Sequence, residues 1–245
     1  MMSSIKVNLL SISLMQYFYK LKAYTTLVYG LITAQLIALL FSLGGVSSSG
    51  GSSGELSVMV KNYSANIVLI FSLVWIMFIA LKLTTKQYKN MEIALVTNRI
   101  TGNLSNIGML ATACVFGGIT ASLSGVLFRV VMYFSSDRSQ IVWNGFFLAF
   151  SDLLLGIIVA ILYMFVISAL GYFIGVLIQL NGVFAIIVPA VVMGSFKVYA
   201  DFSQAVLKFL TFENSLPLFA LKIICIAIVL FGASLLLSNR MEVGK

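Results

Sequence analysis

Long apolar runs separated by short polar breaks dominate the chain and predict its architecture. A bilayer core about 30 Å thick is crossed by about 20 apolar residues in a helix. Runs that suit this length lie at residues 24–43, 64–81, 107–131, 145–179, 181–196 and 218–237, and only the short polar break 179–182 divides the fourth from the fifth. The pattern therefore predicts an all-α integral membrane protein with six transmembrane helices in a single transmembrane domain, residues 1–245.

An amphipathic pattern precedes the first run. Ile5, Leu9, Ile12 and Gln16 recur at helical spacing, and the basic residues that flank them are Lys6, Lys20 and Lys22. Such a segment is typical of a helix that lies in the cytoplasmic interface of the membrane. The alternative is that it extends the first transmembrane helix.

A second amphipathic segment lies between the second and third runs. Tyr88, Met91 and Leu95 share one helical face, and the charged residues around them are Lys86, Lys89, Glu92 and Arg99. The pattern predicts a short cytoplasmic helix that either lies on lipid headgroups or docks into a partner protein. Residues typical of helix ends follow it, at Asn98, Gly102 and Asn103.

Two further segments interrupt the apolar pattern. Residues 44–54, GGVSSSGGSSG, have the composition of a flexible linker, which the topology places outside the cell. Residues 196–215 are of mixed polarity and predict a short helix or helical hairpin at the outer interface. Pro189 should kink the fifth helix, and Pro217 suits the start of the sixth.

Charge sets the predicted orientation. Six spans would place both termini on one side, and nine Lys and Arg residues flank that side against six on the other. The positive-inside rule then places both termini in the cytoplasm. The net charge of +8 is explained by this asymmetry, so we expect no nucleic-acid partner.

Composition supports the membrane assignment and narrows the chemistry. Of the 245 residues, 61% are hydrophobic and 9% are charged, against roughly 45–50% and 25% in soluble domains. The chain has no histidine, which excludes His-based catalytic triads and the usual zinc-protease motif. Cys114 and Cys225 lie in apolar runs, where they are predicted to be buried thiols. Because it also lacks a G-x-x-x-x-G-K-[ST] phosphate loop, we expect a transport or scaffold subunit, with no metal site, and not an enzyme.

Small residues form a stripe along the third run. Ala113, Gly117, Ala121 and Gly125 are each four residues apart. A stripe of this kind lets another helix approach closely. Packing between helices of this chain is the favoured interpretation, and a wall of a ligand path is the alternative.

Asp152 is the acidic residue predicted within the membrane, about two turns into the fourth run. An intramembrane carboxylate costs roughly 2.5–3.5 kcal/mol on insertion scales, so it should be paired or hydrated. Arg129, near the outer end of the third run, lies at a matching depth. A structural ion pair or a water-facing acid is favoured, and a role in substrate or proton coupling remains open.

The order of these segments resembles a known family. An interfacial helix, two spans, a cytoplasmic amphipathic helix, three spans, an external segment and a last span resemble the permease subunit of bacterial ATP-binding-cassette (ABC) exporters of the type 2 class. The basic segment YKNMEIALVTNRITGNLSN (88–106) and the short tail 238–243 add to this resemblance.

The resemblance implies a function and partners. Residues 87–99 would be the coupling helix, with Tyr88, Met91, Leu95 and Arg99 as contacts to a separate ATPase subunit that binds ATP and magnesium. Two permeases, as a homodimer or a heterodimer, and two ATPases would form the complex in the bacterial cytoplasmic membrane. The cargo would be amphipathic or hydrophobic: a peptide, a lipid-linked molecule or a drug. An ATP-independent secondary transporter or a membrane scaffold is the alternative, motivated by Asp152.

Overall fold

The computed structural model describes residues 9–23, 26–45, 47–53, 56–62, 64–85, 88, 99–135, 149–198, 204, 208–209, 213 and 215–240. Helices account for most of these residues. In chain order they are α1 (Leu9–Ala23), α2 (Thr26–Leu43), α3 (Asn66–Leu83), α4 (Arg99–Ser135), α5 (Phe150–Leu180), α6 (Phe184–Val198) and α7 (Leu216–Arg240). Two strands, β1 (Ser47–Ser53) and β2 (Leu56–Asn62), lie between α2 and α3.

Four of the described helices are long and apolar enough to cross a membrane. They are α3, α4, α5 and α7, and the number rises to five if α1 and α2 are counted as one broken span. The chain is therefore a multi-pass helical membrane protein, while the count of six spans stays a prediction. The 15 residues of α6 extend roughly 22 Å at 1.5 Å per residue, which is shorter than a typical hydrocarbon core.

The helix α4 begins earlier than the apolar run that predicts it. It has 37 residues and includes Gly102 and Asn103, so the prediction that these two residues end a preceding helix is wrong. Polar side chains in its first two turns broke the apolar pattern and hid the helix. They are buried, and Thr101, Asn103 and Asn106 form hydrogen bonds with other helices of the chain.

The Gly/Ser-rich segment after α2 is more regular than predicted. β1 pairs antiparallel with β2, from Ser47 opposite Asn62 to Ser53 opposite Leu56. The sequence of β2, LSVMVKN, contains valines at alternate positions, and valine favours strands. The two strands pair through backbone hydrogen bonds, which do not depend on the side chains of β1. The expectation of a plain flexible linker at 44–54 is therefore wrong for Ser47–Ser53.

The polar break at 179–182 separates two helices. α5 ends at Leu180, and the amide of Val183 donates to Asn181 Oδ1 at 3.2 Å. The amide of Phe184 donates to the carbonyl of Asn181 at 3.0 Å. Pro189 lies inside α6, and Pro217 is the second residue of α7, where its missing N–H costs no helical bond. Most of the predicted outer segment 196–215 lies outside the described residues.

The chain divides into two compact units. The first comprises Met1–Tyr24, Ile76–Thr112 and Phe165–Lys245, and the second comprises Thr25–Trp75 and Ala113–Met164. In the first unit, the Phe231 ring centroid lies 5.6 Å from that of Phe165 and 5.9 Å from that of Tyr172. The core of the second unit is built on Ala38, Val68 and Ala121.

The small-residue stripe of α4 lies in the second unit, against other helices. A Cβ added at Gly117 would lie 2.5 Å from Met164 Cε, and one added at Gly125 would lie 3.8 Å from Ala65 Cβ. Ala121 is buried in the core, and Ala113 is half-buried. Side chains of α5 and residues near the start of α3 thus cover the stripe, which is what close helix packing requires.

Candidate functional site

The predicted coupling residues lie at the edge of the described chain. Met91 and Leu95 lie outside the described residues, and Arg99 is the first residue of α4, described by its backbone only. Tyr88 is described, with the Lys82 ammonium 5.7 Å from its ring centroid. The role of these four residues as contacts to an ATPase stays a prediction.

Directly after this segment, in the first unit, α4 begins with a row of buried polar residues. They are Thr101, Asn103, Ser105 and Asn106, each no more than 5% exposed. Buried polar side chains require hydrogen-bond partners, because each unsatisfied group costs free energy. Their burial therefore points to specific partners on neighbouring helices.

The helix α1 supplies several of those partners. Lys20 Nζ donates to Asn106 Oδ1 at 2.5 Å and to the carbonyl of Gly102 at 3.3 Å. Ser13 Oγ donates to the carbonyl of Thr101 at 3.4 Å, and Gln16 Nε2 donates to Thr101 Oγ1 at 3.5 Å. We name this set the α1–α4 polar cluster; its members are Ser13, Gln16 and Lys20 of α1 with Thr101, Gly102 and Asn106 of α4.

Lys20 is the charged member of the cluster, and its side chain is only 2% exposed. Its bond to Asn106 is short, as expected for a charged donor. Gly108 on α4 also lets α1 approach closely, because a Cβ added there would lie 3.3 Å from Cδ2 of Tyr17, which lies between Gln16 and Lys20. Lys20 lies in the last turn of α1, at the flank where the sequence predicted it, and its side chain is buried.

The exposed face of α1 is apolar. Met15 is 74% exposed and Phe18 60%, and Lys22 is also exposed. The polar face thus points to the protein, while the apolar face points outward, the reverse of a helix on a soluble protein. An outward apolar face suits contact with lipid, while the position of α1 in the membrane interface stays a prediction.

The bonds of Asn103 extend the polar contacts to two more helices. Tyr172 of α5 donates its hydroxyl to Asn103 Oδ1 at 2.9 Å, and Asn103 Nδ2 donates to Ser238 Oγ of α7 at 2.9 Å. One amide therefore uses both its acceptor and its donor. The beginning of α4 is hydrogen-bonded to α1, α5 and α7 within about two turns.

Two polar atoms at this level have no hydrogen-bond partner within the described part of the chain. They are Gln16 Oε1 and Ser105 Oγ, and both are buried. A buried unsatisfied polar atom costs about 1–3 kcal/mol. The region at the start of α4 is therefore not arranged for maximal stability.

A smaller polar cluster lies in the second unit. Gln35 Nε2 of α2 donates to Ser72 Oγ of α3 at 3.1 Å and to Thr120 Oγ1 of α4 at 3.0 Å. Gln35 is only 6% exposed. Hydrogen bonds of this kind join helices within apolar surroundings. Gln35 was not among the predicted site residues. The feature that could have indicated it is that it is a lone amide in the first apolar run.

Asp152 lies nearer the end of its helix than predicted. It is the third residue of α5, because the helix begins at Phe150 and not at residue 145, and its side chain is exposed. Ser151 Oγ donates to Asp152 Oδ1 at 3.5 Å. Arg129 is half-buried on α4; both side chains are described, and no ion pair joins them. A carboxylate in the first turn is favoured by the helix dipole.

An ion pair between two described residues lies at the start of α7. Lys222 Nζ lies 2.6 Å from Glu213 Oε1 and 3.9 Å from the centroid of the Phe209 ring. Both interactions fix the Lys222 ammonium near the beginning of the helix. They attach residues that precede α7 to its first turns.

The described residues contain no group of three or more His, Cys, Asp or Glu side chains that could hold a metal ion. No protein-family model, curated protein or solved structure matches the chain. The start of α4 makes more hydrogen bonds to other helices than the cluster around Gln35 does. It is therefore the candidate functional site.

Proposed function

We propose that the chain is the membrane-spanning permease subunit of an ABC exporter of the type 2 class. A separate ATPase subunit would bind ATP and magnesium, and this chain would hold no cofactor. The expected assembly contains two ATPases and a second permease copy in the bacterial cytoplasmic membrane, with both termini in the cytoplasm. The cargo would be an amphipathic or hydrophobic peptide, lipid-linked molecule or drug.

The observation that carries the proposal is the hydrogen bonding at the start of α4. The segment 87–99, where the ATPase would dock, leads directly into α4, which is bonded to α1, α5 and α7. A force applied to that segment would therefore act on several helices together. An idle cytoplasmic loop would not need such a connection.

Transport requires a difference in free energy between two packings of the permease. ATP-driven closure of the ATPase supplies differential binding energy, and the permease shifts between discrete arrangements. In this proposal the ATPase, as it closes, displaces the residues of the predicted coupling helix. The start of α4 then passes it to the helices that it contacts.

Copurification with an ATPase tests the proposal. The chain would be expressed with a Walker-motif ATPase chosen from the neighbouring reading frames and purified through a tag on the chain. We expect a stable complex that is lost in Leu95→Asp and Arg99→Glu. Lys22→Glu is the control. It reverses a charge as Arg99→Glu does, but on the exposed part of α1, and it should leave the complex intact.

The contrary results are also distinct. If the wild-type chain never associates with that ATPase, the proposal is wrong, and an ATP-independent transporter or scaffold takes its place. Uptake driven by a proton or sodium gradient in proteoliposomes, abolished by Asp152→Asn, would then identify a secondary transporter. Association that survives both Leu95→Asp and Arg99→Glu would place the docking site elsewhere.

A further inference from the structure

The α1–α4 polar cluster joins two packed helices of a membrane protein through a buried lysine, which is an unusual residue for such a contact. Small and apolar side chains are sufficient to pack such helices. Here a lysine is buried to 2% exposure and is held by an amide oxygen and a backbone carbonyl. Burial of an ammonium group is costly unless it is hydrogen-bonded, so the position of Lys20 relative to α4 is strongly specified.

We propose that Lys20 is a positioning residue that makes α1 and the first two turns of α4 move as one body. The second part of the inference rests on the proposed function: this body transmits to other helices the force that the ATPase exerts on residues 87–99. The first part concerns the chain alone and holds without any ATPase.

The geometry supports joint movement. Bonds from Ser13, Gln16 and Lys20 span about two turns of α1, since the rise from residue 13 to residue 20 is about 10 Å at 1.5 Å per residue. Their acceptors lie between Thr101 and Asn106. A single bond would allow α1 to swing about it, but bonds spread along the helix fix both its position and its rotation.

The bonds of the cluster lie on one face of α1. Its opposite face, with Met15 and Phe18, is exposed and apolar, so lipid contact there would not resist sliding. Asn103, on the same turns of α4, connects the body to Tyr172 and Ser238. Movement of α4 would thus reach α5 and α7 through directional bonds, and would carry α1 with it.

The test separates loss of the cluster from loss of the fold. Lys20→Met alone leaves Asn106 buried without its donor, and this variant could simply fail to fold. Lys20→Met combined with Asn106→Leu replaces both partners with apolar groups of similar size, which tends to preserve stability. Lys22→Met is the matched control, because it removes the same charge from the exposed part of the same helix.

Hydrogen exchange on the purified chain tests the first part. In the wild type, amides of α1 should exchange at rates close to those at the start of α4. In the double variant, exchange in α1 should rise at least tenfold, while α7 and the Lys22→Met control stay unchanged. Equal protection of α1 in the wild type and the double variant would overturn the inference, whatever the ATPase does.

A reversible cross-link tests the second part. Ser13→Cys and Thr101→Cys, in a Cys225→Ser background, would be joined by a short methanethiosulfonate reagent that a reductant removes; Ser13 Oγ lies 3.4 Å from the Thr101 carbonyl. In the Lys20→Met, Asn106→Leu variant bound to the ATPase, we expect permease-dependent ATP hydrolysis to fall at least fivefold. The cross-link should restore it, and reduction of the same sample should abolish it again.

The outcomes are distinguishable from failure of the proposed function. If the wild-type chain binds no ATPase, the proposed function and the transmission role both fail, and hydrogen exchange alone decides whether α1 and α4 form one body. If the complex forms but the double variant hydrolyses ATP like the wild type, transmission through the cluster is wrong. A cross-link that inactivates the wild type would show that α1 must move relative to α4, which also overturns the inference.

Discussion

Substitution of Gly118 by alanine should force α4 away from α5 within the second unit. A Cβ added at Gly118 would lie 2.6 Å from Ile161 Cγ1, 3.0 Å from Ile161 N and 3.2 Å from Ile161 Cα. The Ile161 side chain can rotate away, but its backbone nitrogen and Cα cannot. One methyl group is therefore enough to disturb the contact between the two helices.

The size of the effect follows from two opposed terms. Overpacking of a well-packed site costs about 1–3 kcal/mol, whereas alanine favours a helix over glycine by about 0.8–1.0 kcal/mol. Gly156→Ala on α5 isolates the second term, because a Cβ added at Gly156 has nothing within 4 Å. We expect Gly118→Ala to be less stable than Gly156→Ala by about 1–3 kcal/mol, which is several degrees in Tm at roughly 2–4 °C per kcal/mol.

A buried thiol provides the assay. Cys114 is buried one turn before Gly118, as predicted, whereas the prediction of burial is wrong for Cys225, which is exposed. A Cys225→Ser background therefore leaves one thiol that reacts on unfolding. A fluorogenic maleimide would then report thermal unfolding in detergent. Ile161→Ala should rescue Gly118→Ala only in part, since it removes the Cγ1 overlap but not the backbone one. If Gly118→Ala unfolds at or above the temperature of Gly156→Ala, the reasoning from helix contact is refuted.

The same thermal assay checks three further predictions. Gln35→Leu should cost only about 0.6 kcal/mol, and at most about 1.7 kcal/mol, because both hydroxyls that it contacts also bond to their own helices. Asn103→Leu should cost more, about 1–3 kcal/mol, because it removes the bonds that the buried amide makes with the Tyr172 hydroxyl and Ser238 Oγ; a cost no larger than that of Gln35→Leu would contradict this. Lys222→Met should cost no more than about 1 kcal/mol, and salt should reduce the wild-type advantage; a larger, salt-independent loss would show that Glu213 is not its main partner.

The sequence predicted those helices whose signal is local. The apolar runs at 64–81 and 218–237 correspond to α3 and α7 because length and apolar composition are properties of the run itself. The same local signal failed at the start of α4. Thr101 and Asn103 are polar, and only contacts with residues about 70 to 135 positions away make their burial favourable.

The candidate site was missed for the same physical reason. Lys20 flanks an amphipathic pattern, and a lysine at a helix flank is usually hydrated. The residue pattern of α1 alone does not indicate that Asn106 accepts a hydrogen bond from Lys20. The strand at Ser47–Ser53 was missed because its pairing depends on β2 and not on its own composition.

Two kinds of contact along α4 have different mechanical effects. At its start, the bonds of Asn103 and Asn106 are directional, so they specify the rotation and register of α4 against its neighbours. Farther along, Gly117 and Gly118 allow close approach, but a glycine contact favours no particular register by hydrogen bonding. Within the first unit, displacement of the start of α4 should therefore move the bonded helices with it, and not slide past them. This difference explains why the polar residues, and not the glycine stripe, are the better candidates for transmitting a push from the preceding segment.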